Sequence, residues 1–147
     1  MIYSYQKHID ALRTVEIALP TDATNHQRIG TELATVNGTT YVFLPTGAKL
    51  PAQPSEITVA TVTLTPEISD AIKAVSPHVW LINEQIKEKI RNKYSSEDEM
   101  YFARISIGAI TGQYTMEPGE ADKVAAYGAY VESVRQWGRD QRAAIGL

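Results

Sequence analysis

The chain has 147 residues, no cysteine, and 14 Lys plus Arg against 17 Asp plus Glu, for a formal net charge of −3. With 44% hydrophobic and 21% charged residues, it is composed to fold rather than to stay disordered. The absence of cysteine excludes disulfides, thiolate metal sites and cysteine nucleophiles. The acidic balance argues against non-specific nucleic-acid binding, which draws on a dense cationic surface. The longest uncharged run, Leu33 to Ala48, is interrupted by Asn37, Gly38, Pro45 and Gly47, so no membrane span is expected. The first residues, Met1 to His8, lack the charged-then-apolar order of a signal peptide. The expectation is a soluble protein made in the cytoplasm.

The opening stretch is ambiguous. Tyr3 to Leu12 reads as a short helix with Tyr5, Ile9 and Leu12 on one face. Val15-Glu16-Ile17-Ala18-Leu19 alternates and predicts a strand stopped by Pro20, and Thr21 to Arg28 reads as a polar loop. The strongest local signal is Asn37-Gly38 between Glu32–Val36 and Thr39–Leu44. Both residues tolerate the positive φ of a type I′ turn, whose twist matches that of the strands it joins. Apolar side chains occur on both alternations of this hairpin, which predicts a sheet covered on both faces. Thr46 to Ser55, with Gly47, Pro51 and Pro54 close together, reads as an irregular connection. Ile57 to Leu64 alternates strictly and predicts a further strand, with Ile57, Val59, Thr61 and Thr63 on one side and Thr58, Ala60, Val62 and Leu64 on the other. At a sheet edge, such a strand can pair with another subunit.

Helices follow. Thr65-Pro66-Glu67 combines a cap, a first-turn proline and an acid at the positive end of the dipole, with Ile68, Ile72 and Val75 as the apolar face. Ser76-Pro77 repeats the signal, and Val79, Ile82, Ile86 and Ile90 run at helical spacing to Tyr94. Ser96 with Glu99 three residues on predicts a capping box, and Met100, Ala103, Ile107 and Ile110 predict the inner face of that helix, ended by Gly112. Glu117-Pro118-Gly119-Glu120 opens a last helix running to about Ala144. Its Val124, Tyr127, Val131, Val134, Gly138, Gln141 and Ile145 recur at heptad-like spacing, which suits either packing within its own domain or a seam between copies. The fold class read from this order is α+β: residues 1–65 form a β-rich part with a small antiparallel sheet, and residues 66–147 form a helical part with a bundle of three to four helices.

No chemistry announces itself. His8, His26 and His78 lack metal-ligand spacing. No phosphate loop, dinucleotide fingerprint or nucleophile elbow is present. Glu97, Asp98 and Glu99 diverge around a helix and cannot face one another as an acid–base pair. The expectation is a non-enzyme without cofactor or metal. Trp, Tyr and Arg dominate interface hot spots, so Tyr127, Tyr130, Val131, Val134, Arg135 and Trp137 on the last helix are candidate contact residues, with Val59 and Val62 on the 57–64 strand.

The run Ile86-Lys87-Glu88-Lys89-Ile90-Arg91-Asn92-Lys93-Tyr94-Ser95-Ser96-Glu97-Asp98-Glu99, a basic helix end passing into an acidic helix start, resembles a pattern in small phage tail-associated proteins. The proline-punctuated Leu44–Pro54 segment after a hairpin is similar to such proteins as well. The resemblance implies a virion component of a tail, baseplate or tail fibre. Such a component acts through protein–protein contacts with other tail or fibre subunits and with copies of itself, and carries no catalytic residues. A small phage-encoded inhibitor or assembly chaperone, binding a protein partner transiently, is the alternative.

Overall fold

A computed structural model describes residues 1–147. The chain is α+β, with strands β1 (Ile2–Gln6), β2 (Thr31–Val36), β3 (Thr39–Phe43) and β4 (Ala60–Val62). The helices are α1 (Pro66–Val75), α2 (Pro77–Lys93), α3 (Ser96–Ile110) and α4 (Glu120–Ala144). Strands therefore give way to helices where the sequence changes character near Pro66. The compact units divide elsewhere. One comprises Met1–Leu81 with Gln141–Leu147, and the other is Ile82–Asp140.

The first unit is built on one antiparallel sheet in the order β2-β3-β1-β4. The β2–β3 hairpin turns at Asn37 (φ 49°) and Gly38 (φ 83°), the two positive values that a type I′ turn requires. A bulge lies between Glu32 and Ala34. Strict alternation would send Leu33 and Ala34 to opposite faces, but a bulge resets the phase, and both pack in one core cluster with Ile2 and Ile72. Val36, Tyr41, Phe43, Val62, Leu64, Ile68, Ile145 and Leu147 complete that cluster. The second cluster is Tyr5, Ile17, Val42 and Ile57, with Val15, Leu19, Leu50 and Val59 against it. Neighbouring residues of β3, Val42 against Tyr41 and Phe43, belong to different clusters. The sheet is thus covered on both faces, as the two-sided hairpin predicts.

Three expectations need correcting. The opening stretch is a strand, because Ile2–Gln6 pairs with β3 on one side and β4 on the other. Such long-range partners outweigh a helical spacing of three residues. Val15–Leu19 forms no strand. Ile17 is buried, but the Ala18 N–H donates to the Gln53 side chain at 2.8 Å, and the Gln53 amide donates back to the Ala18 carbonyl at 3.0 Å. A side chain thus supplies the bonds that a neighbouring strand would have made. Only Ala60–Val62 of the 57–64 stretch is strand, at one edge of the sheet. Its predicted alternation still holds: Ile57 and Val59 pack in one cluster, and Val62 and Leu64 against the other.

Helix starts follow the chemistry of their first residues. The Thr65 side chain accepts from the Ile68 N–H, with Pro66 at the first turn and Glu67 following. At α3 the capping box sits one residue earlier than the sequence suggests. Ser95 Oγ accepts from the Asp98 N–H at 3.1 Å, and Asp98 Oδ2 accepts from the Ser95 N–H at 2.8 Å. Ser95-Ser96-Glu97-Asp98-Glu99 offers both registers, and α2 already ends at Lys93, which leaves Ser95 as the non-helical cap. Gly112, in the left-handed region (φ 72°), follows the last turn of α3.

Candidate functional site

The second unit, Ile82–Asp140, has an aromatic core. Tyr94, just past α2, lies 5.1 Å from Tyr127, edge to face, and 6.0 Å from Phe102. Phe102 lies 5.2 Å from Tyr127, and Tyr130 is 5.7 Å from Tyr94. Edge-to-face and tilted rings at these spacings pair favourably. The Tyr130 hydroxyl donates to the Lys89 carbonyl at 2.9 Å. Lys93 Nζ stands 4.0 Å above the Tyr130 ring and Lys89 Nζ 4.7 Å above Trp137, so part of the basic end of α2 rests on aromatic faces of α4.

This arrangement locates the candidate contact residues. On α4, Val134 is buried and Tyr127, Tyr130, Val131 and Trp137 are half-buried. Tyr127, Tyr130 and Trp137 are engaged with α2 and α3 of the same chain, and Arg135 is exposed. The spacing of three and four that identifies the stripe is the same for an inward face and for a seam between copies. What faces the stripe here is the chain's own helices. Val59 and Val62 are half-buried, each against a core cluster of the sheet unit.

The face of α3 is the clearest departure from expectation. Phe102 and Ile105 are its buried residues. Met100, Ile107 and Ile110 are 64%, 63% and 86% exposed, and Ala103 is exposed with them. Two apolar rows run along this helix, and periodicity alone does not say which turns inward. The row carrying the Phe102 ring buries more area and finds Tyr94 and Tyr127 as partners. The outer row is left to solvent. Beside it lies a cavity of about 460 Å³ lined by residues that include Tyr101, Arg104, Ile107, Gly108 and Tyr114. Gly108 makes this surface possible, because a Cβ there would stand 2.7 Å from Tyr114 Cβ. Only a residue without a side chain lets the chain after α3 fold back so closely.

Glu120, buried at the start of α4, is a polar feature the sequence did not single out. Its carboxylate accepts from the Tyr101 hydroxyl, from the Tyr114 hydroxyl at 2.8 Å and from the Glu117 N–H at 2.8 Å. The Tyr101 bond, then the Glu117 bond, hold its pKa below the ordinary carboxylate value. The same bonding disfavours the tyrosinates: Tyr101 is raised, and Tyr114 is pushed up to about 12 by its hydrogen bond to Glu120. The cluster ties α3, the following turn and α4 together. A tyrosine in α3 paired with a carboxylate nineteen residues on leaves no periodic trace, so nothing in the sequence marks it.

In the sheet unit, Lys7 Nζ pairs with Glu32 Oε1 at 2.7 Å, the Tyr5 hydroxyl donates to Glu32 Oε2 at 3.3 Å, and His78 Nε2 lies 3.1 Å from the Glu32 carbonyl. No three His, Asp or Glu side chains gather as metal ligands, and no helix is long and apolar enough to cross a membrane. An α+β chain with a doubly covered sheet, an aromatic helical core and an outward apolar row on α3 is the class that the fold and site define. No family model, curated protein or solved structure matches the chain.

Proposed function

We propose that this chain is a structural or assembly subunit of a phage tail, baseplate or tail fibre, which works in the virion by contact with other tail subunits and with copies of itself. The outward row Met100, Ile107 and Ile110 carries the reading. Large apolar side chains repeated along one exposed helix face are costly to leave in water and are characteristic of surfaces that meet a partner. The short edge strand β4 offers a further place for strand addition. The contact residues favoured on this reading lie on α3 rather than on the stripe of α4, whose aromatics are already engaged within the chain. Mass spectrometry of purified particles tests it. The expected result is the chain in mature particles at a fixed copy number relative to the tail proteins. Recovery only from the soluble fraction, bound to a partner that never enters particles, overturns it in favour of a transient inhibitor or assembly chaperone.

A further inference from the structure

We propose that the free edge of β4 pairs with the same edge of a second copy, antiparallel about a two-fold axis at Thr61, so that two four-stranded sheets join into one. This pairing deepens the contact-protein reading above, on which it rests, by naming the partner that meets this edge.

The phase of the ladder decides which groups are free. The Met1 amine donates to the Leu44 carbonyl, and the Leu44 N–H donates to the Met1 carbonyl, both at 2.8 Å. In an antiparallel pair the N–H and C=O of one residue point to the same side, and successive residues alternate. Met1, Tyr3 and Tyr5 therefore bond toward β3, and Ile2 and Ser4 toward β4, where their partners are Val62 and Ala60. Thr61 then turns its N–H and C=O away from β1. The alternation that sends Ile57 and Val59 to one cluster, and Val62 and Leu64 to the other, puts Val59 and Thr63 in the same outward phase. The N–H and C=O groups of Val59, Thr61 and Thr63 have no hydrogen-bond partner within the chain, and Thr61 and Thr63 are exposed.

The opposite edge of the sheet is guarded. On β2, a bulge lies between Glu32 and Ala34, Glu32 is charged, and His78 Nε2 stands 3.1 Å from its carbonyl. Bulges and charges are the means by which sheet edges resist pairing. Ile57 to Leu64 carries no charge, proline or glycine. The partner such an edge needs is another uncharged strand with free groups in matching phase, and the same stretch supplies it.

One register satisfies every outward group. With Thr61 opposite Thr61 of the second copy, Val59 falls opposite Thr63 and Thr63 opposite Val59. Each of these pairs exchanges two hydrogen bonds. The same axis sets Ala60 opposite Val62 and Thr58 opposite Leu64 on the other face. Cross-strand pairs of such side chains are favourable, and no like charges meet. A shift of two residues either way sets Thr63 against Ile57 or Val59 against Thr65. The Ile57 N–H is already bonded to the Pro54 carbonyl, and the Thr65 carbonyl accepts from the Ser69 N–H, so both shifts leave groups unpaired. A ladder this short makes a small interface, and the pair is therefore a reversible, concentration-dependent dimer.

Sedimentation equilibrium on the full chain tests this. The wild type is expected to show a monomer–dimer equilibrium. Thr61→Pro removes an outward N–H and leaves the Ala60 and Val62 bonds to β1 in place. It should raise the dissociation constant about tenfold or more with an unchanged far-ultraviolet spectrum. Thr61→Lys and Thr61→Glu each set like charges together at the axis, so either variant alone should stay monomeric. An equal mixture of the two should form the dimer, a rescue that a strand from another protein at this edge would not produce. A wild type that stays monomeric, a Thr61→Lys variant that dimerises normally, or a mixture of the two charge variants that fails to associate overturns the pairing. A monomer still recovered in particles would sink this dimer and leave the tail-subunit reading standing. A dimer through β4 that never enters particles would do the reverse.

Discussion

Leu33, Val42 and Ile72 in the sheet unit are 0% exposed, whereas the least exposed apolar side chains between Ile82 and Asp140 are Ile105 and Val134, at 5%. The sheet unit closes two mainly aliphatic clusters, one on each face of its strands, with Tyr5, Tyr41 and Phe43 among them. The helical unit relies on five packed rings and three lysine–aromatic contacts, and it leaves a second apolar row of α3 in water. A sheet with both faces covered has little apolar surface left to offer. A small set of helices sharing one inward side each has a great deal. The difference places the most completely enclosed side chains in the first unit and an exposed apolar row in the second, and three experiments can break or sharpen it.

The largest effect is expected at Ile72, which is fully enclosed by the Ile2–Leu33 cluster. Ile72→Ala should cost about 2–5 kcal/mol in urea unfolding, while Val131→Ala, at a half-buried position of α4, should cost well under that. Equal costs would erase the contrast between the units. A smaller effect, confined to the helical unit, is expected from pH. The Glu120 carboxyl is lowered from 4.5, so its contribution is complete above that value and is lost as pH falls through the lower folded-state value. Tyr114 is raised from 10.0 to about 12, so the contribution of its neutral phenol is complete below pH 10 and is lost as pH rises toward about 12. Amide exchange should show α3 and the start of α4 loosening at both extremes before the sheet does, and Glu120→Gln should flatten the acid limb. An acid limb unchanged in Glu120→Gln would remove the carboxylate from the account. The smallest effect is at the α3 cap, where Ser95→Ala should cost about 1 kcal/mol, read as faster exchange in the first turn of α3 with the sheet unaffected.

What could be read in the sequence follows the range of the interactions. The Asn37-Gly38 turn, the Thr65 cap, the Val79–Ile90 face of α2 and the end of α3 at Gly112 depend on residues within a turn or two of one another, and all four are where local chemistry puts them. β1 was ambiguous because its strand character comes from Thr39–Phe43 and Ala60–Val62, dozens of residues away. The inner face of α3 is not decided by the sequence alone, because Met100-Ala103-Ile107-Ile110 and Phe102-Ile105 both fall at helical spacing, and only the arrival of Tyr94 and Tyr127 decides between them. The α4 stripe was legible as a stripe but not as to its partner. Of the Glu120 cluster, only the Glu117–Glu120 helix start was local enough to read; the bond from Tyr101 of α3 was not.

The sheet unit is made from two separated stretches of chain, since Ile145 and Leu147 pack against the same cluster as Ile2 and Leu33. On a ribosome, this reverses the usual order of maturation. The strands emerge first, yet their aliphatic cluster lacks its last two side chains until residues beyond 140 have been synthesised. The intervening helical stretch likewise closes only when Tyr127, Tyr130 and Trp137 of α4 reach Tyr94 and Lys89. Closing so long a loop is a slow step, and the early-made sheet must wait for it with part of its apolar surface uncovered.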